Sequence, residues 1–185
     1  RYWYPEKQVV CGVEELMEWI GQQRAWRQRF PEKLLAERFP RRKREHLKTF
    51  FSGTQLQFLP GGEVLPENEA CVVWGSQDKS SRLCVEDGFI RSVGLGADLT
   101  APKSWVIDDI GMYYDATRPS RLEAILNDYE FSENELSRAE VLVERLVREQ
   151  VSKYNIGDNS WQRPKTTKTV ILVPGQVESD ASIEY

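Results

Sequence analysis

Two stretches near the start of the chain carry apolar positions at helical spacing. In residues 12–30 the apolar side chains recur three or four positions apart until Pro31, and they include Val13, Leu16, Met17, Ile20 and Trp26. This spacing predicts an amphipathic helix. A second helix is predicted over 41–51. The segment 33–39 between them has a pattern that fits a helix or a strand.

The middle of the chain carries short apolar runs that predict buried strands. They cover 70–74 and 83–85, and 104–107 is a further strand candidate. Only a few polar residues separate the first two runs, whereas a helical crossover between parallel strands needs roughly a dozen or more. The two runs therefore form a hairpin, or the chain has lost a helix between them.

Two capping boxes mark helix starts in the second half of the chain. Ser120 with Glu123, and Ser132 with Glu135, place a hydroxyl at the N-cap and a carboxylate three residues later. The first box predicts a helix to about 127. The second predicts a long helix to about 153, ended by Gly157 as a left-handed cap.

The β-branched run 169–173 predicts one more buried strand. A buried parallel strand needs neighbouring strands and helices on both faces, and the sequence continues only to residue 185. We therefore expect this run to begin a second α/β domain of which the chain holds the start. The expected segments are 1–131, 132–168 and 169–185.

Composition restricts the class of protein. The 185 residues, 40% of them hydrophobic, suffice for one domain or one domain and part of another. The net charge of −4 argues against a nucleic-acid binder, and no apolar run approaches the roughly 20 residues of a membrane span. Of the three cysteines, Cys71 and Cys84 lie in apolar runs and fit small core residues. The odd count, which includes Cys11, fits a reducing compartment.

A basic cluster runs from Arg38 to Lys48 within this acidic chain. It is either a solvated helix face or a patch for phosphate, carboxylate or an anionic membrane surface. The candidate ligand-binding residues in it are Arg41, Arg42 and Lys43. His46, the only histidine, is interpreted as a surface residue, which leaves a Ser-His-Asp or Cys-His mechanism poorly supported.

The string V-E-D-G-F-I-R-S-V-G-L-G at 85–96 is the most unusual part of the sequence. Glu86 and Asp87 end a strand, where carboxylates of α/β proteins point into a ligand crevice. Gly88 permits a tight turn, and Arg91 can pair with either carboxylate. Two interpretations stay open, a salt-bridged turn and a general acid/base facing a sugar or phosphate.

Two other strings combine acidic residues with glycine. In the first, three aspartates within 108–115 have a spacing that matches no calcium loop. Tyr113 and Tyr114, which lie between them, suit edge-strand packing or stacking on a sugar ring. In the string at 172–183, Glu178 and Asp180 follow the predicted last strand. A carboxylate there, opposite Glu86, would give the two-carboxylate arrangement of glycosyl chemistry.

Four ordered strings together resemble the capsule polysaccharide biosynthesis family, the bacterial β-Kdo transferases of capsule assembly. They are V-E-D-G-F-I-R-S-V-G-L-G at 85–96, I-D-D-I-G-M-Y-Y-D-A-T-R-P-S at 107–120, K-Y-N-I-G at 153–157 and L-V-P-G-Q-V-E-S-D-A-S-I at 172–183. The string F-P-R-R-K-R at 39–44 is similar to the family's basic loop after its first strand, which favours a strand for 33–39. The opening R-Y-W resembles the junction before the second of two tandem modules.

The resemblance implies an α/β fold, the Rossmann-like N-terminal half of a GT-B glycosyltransferase with the first strand of the second half. Residues 1–131 would form the Rossmann-like acceptor-side domain, and 132–168 the long helix and connector. Residues 169–185 would begin the nucleotide-binding domain. The chain would then hold one wall of the active-site cleft and little of the nucleotide site, and alone would show little turnover.

The implied reaction is transfer of Kdo from CMP-β-Kdo, with retention, onto a Kdo oligosaccharide on a lyso-phosphatidylglycerol anchor. The resemblance makes Asp180 the candidate nucleophile and Glu86 the acid/base. No metal and no cofactor beyond the donor is implied. The candidate substrate-binding residues are Asp87, Arg91, Ser92, Gln176, Arg41, Arg42 and Lys43.

The implied partners are a nucleotide sugar, an anionic glycolipid acceptor and capsule assembly and export proteins, with no nucleic acid. The implied location is the cytoplasmic face of the inner membrane, in peripheral contact with it. One alternative is a non-catalytic module that binds glycan or helps assemble the export machinery. Another is a nucleotide-sugar hydrolase, or another transferase, on the same fold.

Overall fold

The structure is a computed structural model. In it the chain divides into two compact units, Arg1–Val72 and Val73–Tyr185. The described residues are 1–5, 8–60, 69–75, 82–158, 160–175, 178 and 180–184. None of the described helices is long and apolar enough to cross a membrane. The predicted division of the chain at 131 and 168 stays a prediction.

The first unit opens with a hairpin followed by a long helix. Strands β1 (Tyr2–Tyr4) and β2 (Val9–Cys11) pair antiparallel, and helix α1 covers Val13–Gln28. The predicted helix over 12–30 is therefore confirmed, but the apolar face predicted for it is not, since none of the residues of α1 is buried. The sequence pattern gave no sign of the hairpin, because three-residue strands are too short to show alternation.

A parallel strand pair joined by a helix forms the rest of the first unit. Its elements are β3 (Lys33–Glu37), α2 (Arg41–Phe50) and β4 (Gln55–Phe58). Leu34, Leu35 and Ala36 are consecutive and all buried, as expected of a parallel strand that is covered on both faces. A strand therefore forms within 33–39, at Lys33–Glu37, as the family resemblance favoured. The predicted helix over 41–51 is also confirmed.

The strands belong to a mixed five-stranded sheet. Its other members are β5 (Cys71–Trp74), β6 (Arg82–Asp87) and β7 (Trp105–Asp108), and the strand order is β4-β3-β5-β6-β7. Pair β3–β4 is parallel, whereas β6–β7 is antiparallel. The α/β class is therefore confirmed. The connection at 76–81, on which the choice between a hairpin and a lost helix depends, lies outside the described residues.

Both predicted capping boxes form in the second unit. Helix α3 covers Arg121–Asp128 and α4 covers Glu133–Arg148. At each start the serine hydroxyl accepts a hydrogen bond from the backbone N–H three residues later, and the glutamate accepts one from the serine N–H. A last short helix, α5, covers Ala181–Glu184. All three cysteines are free and buried, which confirms the core positions predicted for Cys71 and Cys84.

Helix α4 ends earlier than the periodicity predicts. The pattern indicated a helix to about 153 with Gly157 as its cap, but the helix ends at Arg148. Gln150 takes a left-handed conformation with a φ of 54° directly afterwards. The prediction was wrong because the carbonyls of Lys153 and Tyr154 accept hydrogen bonds from the loop that begins at Arg91, which a continuing helix would prevent.

The apolar run 169–173 does not form the predicted strand. Ile171, Leu172 and Val173 are 78%, 85% and 82% exposed, and none of the strands in the described part of the chain pairs with them. β-branched residues favour extended backbone, but a strand also needs a partner for its N–H and C=O groups. The β-branched composition of 169–173 therefore did not suffice to predict a strand there.

Candidate functional site

Strand β6 carries Glu86 to the edge of the core of the second unit. Cys84 lies two residues earlier, on the same face of the strand, and packs with Val73 and Met112 in a buried cluster. Tyr113 packs against the same cluster. The half-buried Glu86 is oriented by the Asp87 backbone N–H, which donates to its Oε1 at 2.9 Å. Glu86 and Tyr113 therefore share one side of β6.

Gly88 forms the turn directly after the strand. Its N–H donates to the Ser104 carbonyl at 3.0 Å, and a Cβ on Gly88 would lie 2.9 Å from the carbonyl carbon of Ser104. The Ser104 hydroxyl in turn donates to the Ile90 carbonyl. Glycine is needed at 88 because a larger residue would collide with backbone.

The guanidinium of Arg91 holds the following loop together from inside. Arg91 is only 4% exposed. Its Nε donates to Asp87 Oδ2 at 2.7 Å, and its Nη1 donates to Ser92 Oγ at 2.9 Å and to the Thr100 carbonyl at 3.1 Å. A Cβ on Gly96 would lie 2.8 Å from Nη2. This placement makes Arg91 a scaffold of the loop, and its direct contact with a substrate stays a prediction.

The K-Y-N-I-G string anchors the same loop from a distant part of the chain. The Lys153 carbonyl accepts from the N–H of Arg91 at 2.8 Å and from that of Ser92 at 3.2 Å. The Tyr154 carbonyl accepts from the Gly94 N–H at 2.8 Å. The two motifs at 85–96 and 153–157 are therefore parts of one local structure.

Asn155 completes this anchor, and the sequence interpretation missed it. Its Nδ2 donates to the Ser92 carbonyl at 2.9 Å, and its Oδ1 accepts from the Ser152 N–H at 3.0 Å. Its φ of 50° lies in the left-handed region, which asparagine adopts more readily than most residues. An asparagine directly before an apolar residue and glycine was the available signal, and it was interpreted as the end of a helix.

The aspartates after β7 build a structural turn. Asp108 is 1% exposed; its Oδ1 accepts from the N–H groups of Ile110 and Gly111 at 2.8 and 2.9 Å, and its Oδ2 accepts from the Arg121 N–H at 2.8 Å. The carboxylate thus ties the end of β7 to the start of α3. This turn sets the direction of the chain that carries Tyr113.

The other two aspartates of this string form ion pairs. Asp109 pairs with the Arg121 guanidinium at 2.7 Å, and Asp115 pairs with Arg118 Nε at 2.9 Å. Among the residues that the structure describes, no group of three or more His, Cys, Asp or Glu side chains is arranged to hold a metal ion. The acidic character of 108–115 is therefore explained by local structure.

Tyr113 lies in a short row of aromatic rings next to the Gly88 turn. Its ring centroid is 4.9 Å from that of Phe89 and 5.4 Å from that of Tyr114. Phe89 is 55% exposed, whereas Tyr113 is half-buried. The row therefore extends from the core to the surface, beside the carboxylates that end β6.

The charges of several acidic side chains act on the hydroxyl of Tyr113. Burial, followed by the charges of Glu86, Asp87 and Asp180 and by Tyr154, raises the pKa of Tyr113 above its ordinary value of 10.0. The charges of the candidate nucleophile Asp180 and the candidate acid/base Glu86, far apart in sequence, therefore both act on this hydroxyl.

Asp180 is itself oriented by the start of α5. The residue is half-buried, and its Oδ1 accepts from the Ser182 N–H at 3.0 Å and from the Ser182 hydroxyl at 2.7 Å. The charges of Glu86, Asp87 and Asp180 thus act on one tyrosine, and the structure places Arg91 and Ser92 in the supporting loop. Gln176, the remaining candidate of this string, lies outside the described residues.

The basic cluster belongs to the first unit. Arg41, Arg42 and Lys43 form the first turn of α2, which contains no acidic residue. The N-terminal end of a helix carries partial positive charge, so these cations strengthen a positive potential there. Arg44 is used locally, since its Nε donates to the Phe39 carbonyl at 3.3 Å and its guanidinium lies 4.9 Å from the ring centroid of Phe58.

The mixed sheet and the carboxylates at the end of β6 define an α/β protein with an acidic site beside a strand end. The family model described as "Capsule polysaccharide biosynthesis protein" matches residues 68–140. This segment therefore belongs to the capsule polysaccharide biosynthesis family, and the resemblance drawn from the motifs is confirmed.

Curated relatives match a larger part of the chain. It is 50% identical over 117 residues to "Capsule polysaccharide modification protein LipA" of Neisseria meningitidis serogroup A, a match that covers 63% of this chain and 17% of that protein. It is 44% identical over 103 residues to "Lipopolysaccharide-processing protein LpsZ" of Rhizobium meliloti, covering 54% of this chain and 23% of that protein. The chain thus spans less than a quarter of these relatives' lengths.

Two solved structures resemble this one over most of its length. "Thermosulfurimonas dismutans KpsC, beta Kdo 2,7 transferase" matches with a TM-score of 0.59 and 35% identity, over 83% of this chain and 51% of that one. "Thermosulfurimonas dismutans KpsC, beta Kdo 2,4 transferase" matches with a TM-score of 0.57 and 31% identity, over 75% and 47%. These matches support the α/β class and its placement among GT-B-type folds.

Proposed function

We propose that this chain is part of a glycosyltransferase of capsule polysaccharide assembly that transfers Kdo. The observation that carries the proposal is that the charges of Glu86 and Asp180 act on the same side chain, Tyr113, because double displacement with retention uses one carboxylate as the nucleophile and another as the acid/base. The similarity to two Kdo transferase structures supports Kdo as the sugar. The similarity to LipA supports the capsule as the product.

In the proposed reaction the donor is CMP-β-Kdo and Asp180 is the nucleophile. Its carboxylate forms a bond to the anomeric carbon, the bond from that carbon to the phosphate oxygen breaks, and CMP leaves with the electron pair. An acceptor hydroxyl then attacks the same carbon and displaces Asp180, while Glu86 takes the hydroxyl proton. Two inversions at one carbon give net retention.

The orientation of the two carboxylates supports these roles. Ser182 holds Asp180 through two hydrogen bonds to one oxygen, and the Asp87 N–H holds Glu86. Carboxylates fixed in this way lose little further freedom when the sugar binds, which is the main advantage of a preorganised site. The Gly88 turn and the Arg91 loop fix the backbone next to Glu86.

The acceptor is proposed to be a Kdo oligosaccharide on lyso-phosphatidylglycerol. Such an acceptor is anionic, and the cations of Arg41, Arg42 and Lys43 at the start of α2 suit an anionic ligand or membrane surface. We place the protein at the cytoplasmic face of the inner membrane with capsule assembly and export proteins as partners. The proposed reaction uses no metal and no cofactor beyond the donor.

The test is a transfer assay on the intact protein with CMP-Kdo and a Kdo-terminated lyso-phosphatidylglycerol acceptor, followed by mass spectrometry of product and protein. Asp180→Asn and Glu86→Gln should each lower the rate by about 100-fold or more. Glu178→Gln, which changes an exposed carboxylate in the same string, is the matched control and should keep its activity.

The results separate the proposed enzyme from a binding module. A one-Kdo adduct on the protein that disappears in Asp180→Asn would support double displacement. Glycan binding without any transfer by the folded wild-type protein would favour the non-catalytic module instead. Wild-type rates in both Asp180→Asn and Glu86→Gln would contradict the assignment of these two residues.

A further inference from the structure

Tyr113 is a member of the carboxylate group whose function the proposed reaction leaves unassigned. Its ring is held by Phe89 on one side and Tyr114 on another, and it packs against the buried cluster that contains Met112. A ring fixed on several sides cannot turn its hydroxyl away from the site. The position of the hydroxyl is therefore set by the fold.

The hydroxyl is also available for a ligand. Within the described part of the chain it makes no hydrogen bond, and its surroundings act on it through burial and charge alone. A half-buried hydroxyl group that is not hydrogen-bonded to protein costs free energy unless water or a ligand supplies the partner. Its neighbours Glu86, Asp87 and Asp180, as carboxylates, are acceptors only.

We propose that the Tyr113 hydroxyl contacts the substrate, donating a hydrogen bond to an oxygen of the pyranose that binds beside Phe89 at the end of β6. The rings of Tyr113 and Phe89 form the wall against which the apolar face of that sugar rests. This inference rests on the proposed function and extends it. It adds a hydrogen-bond donor and an apolar contact surface for the sugar to a site whose carboxylates only accept hydrogen bonds.

The charges around Tyr113 determine which role it can take. Burial and the surrounding carboxylates disfavour the phenolate, so the hydroxyl keeps its proton at neutral pH and acts as a donor. A general base is excluded for the same reason. A sugar ring oxygen or a sugar carboxylate needs a donor, and the carboxylates of this site cannot supply one.

The test compares Tyr113→Phe with Tyr114→Phe in the same transfer assay. Tyr113→Phe keeps the ring and removes only the hydroxyl, and we expect kcat/KM to fall roughly 10- to 100-fold, the usual effect of losing one substrate hydrogen bond. Tyr114→Phe is the adjacent matched control and should change kcat/KM by about twofold or less. The pH–rate profile of Tyr113→Phe should keep its wild-type shape, since the hydroxyl does not titrate near neutral pH.

A second variant tests the proposed wall without touching the core. Phe89→Leu removes an exposed ring, and it should raise KM for the sugar donor several-fold with little change in the thermal unfolding midpoint, since apolar ring contact is lost only when sugar is bound. An unchanged KM in Phe89→Leu would contradict the proposed contact between the Phe89 ring and the sugar. This variant also keeps the inference testable if Tyr113→Phe folds poorly.

The outcomes distinguish this inference from the function on which it rests. Transfer by wild type with an equally fast Tyr113→Phe overturns the role of Tyr113 and leaves the transferase proposal standing. Equal losses in Tyr113→Phe and Tyr114→Phe also overturn it, because they indicate a general disturbance. A folded wild-type protein that does not transfer sugar overturns both.

Discussion

Asn155 donates a hydrogen bond from its side-chain amide to the backbone carbonyl of Ser92, at 2.9 Å and across 63 residues of sequence. The bond joins the K-Y-N-I-G string to the loop that follows the candidate acid/base Glu86. Its geometry depends on the left-handed backbone of Asn155, with a φ of 50°. Two sequence motifs that seemed independent are thus coupled through one side chain.

The first prediction separates the two contributions of Asn155. Asn155→Gly keeps the left-handed backbone but loses the amide, and should lower the free energy of unfolding by about 1–2 kcal/mol. Asn155→Ala loses both and should cost about 1 kcal/mol more. Urea unfolding followed by tryptophan fluorescence measures both changes.

Asn127→Ala provides the control for this pair, because Asn127 is exposed on α3 and its change should stay within about 0.5 kcal/mol. An Ala variant at 155 as stable as the Gly variant would show that the left-handed conformation is not maintained in solution.

The second prediction concerns the buried ion pair of Arg91 with Asp87. The Arg91 side chain is only 4% exposed and that of Asp87 21%, so Arg91→Leu leaves a largely buried carboxylate without its cation. We expect a loss of about 3–5 kcal/mol in unfolding free energy. Thermal or urea denaturation measures it.

An exposed ion pair in the same unit gives the matched comparison. Arg148 and Glu149 have side chains that are 69% and 55% exposed, and Arg148→Leu should cost about 1 kcal/mol or less. Equal costs for the two leucine variants would mean that Arg91 does not organise the loop.

The third prediction uses two glycines with opposite surroundings. Gly88→Ala should destabilise the protein by about 2 kcal/mol or more, since the added methyl group meets the Ser104 backbone at 2.9 Å. Gly21→Ala lies within α1 and meets nothing within 4 Å, so it should stabilise the protein by roughly 0.5–1 kcal/mol. Differential scanning calorimetry on both variants checks the sign as well as the size, and a neutral Gly88→Ala would argue against the close turn.

The elements that the sequence predicted correctly are those whose formation depends on residues close together in the sequence. The boxes at Ser120 and Ser132 formed as predicted because a capping box is completed within four residues. The strand at 33–39 was ambiguous because both of its faces are buried, which removes the alternation that marks a strand. The predicted end of α4 was wrong because the backbone carbonyls of Lys153 and Tyr154 hydrogen-bond to a loop distant in sequence.

The sequence predicted individual residues of the candidate site, but it did not predict how they are arranged in space. Motif resemblance singled out Glu86 and Asp180, whereas Tyr113 was left between packing and sugar stacking. The structure relates these residues through the turn at Asp108 and the start of α5, contacts that depend on the whole second unit. No local pattern can report such contacts, because they join residues that are far apart in the sequence.

The proposed site requires the charges of both Glu86 and Asp180 to act on the Tyr113 hydroxyl, and an NMR titration of the Tyr113 ζ carbon tests this directly. The pKa of Tyr113 should lie above 10.0 in the wild-type protein. Glu86→Gln and Asp180→Asn should each lower it, because removing a nearby negative charge makes the phenolate less costly.

Glu135→Gln supplies the control within the same experiment. Glu135 accepts a hydrogen bond from Tyr129 and raises the pKa of that tyrosine, so this variant should lower the pKa of Tyr129 and leave that of Tyr113 unchanged. A Tyr113 pKa that responds to both Glu86→Gln and Asp180→Asn is the predicted result. A Tyr113 pKa that neither substitution changes would contradict the account.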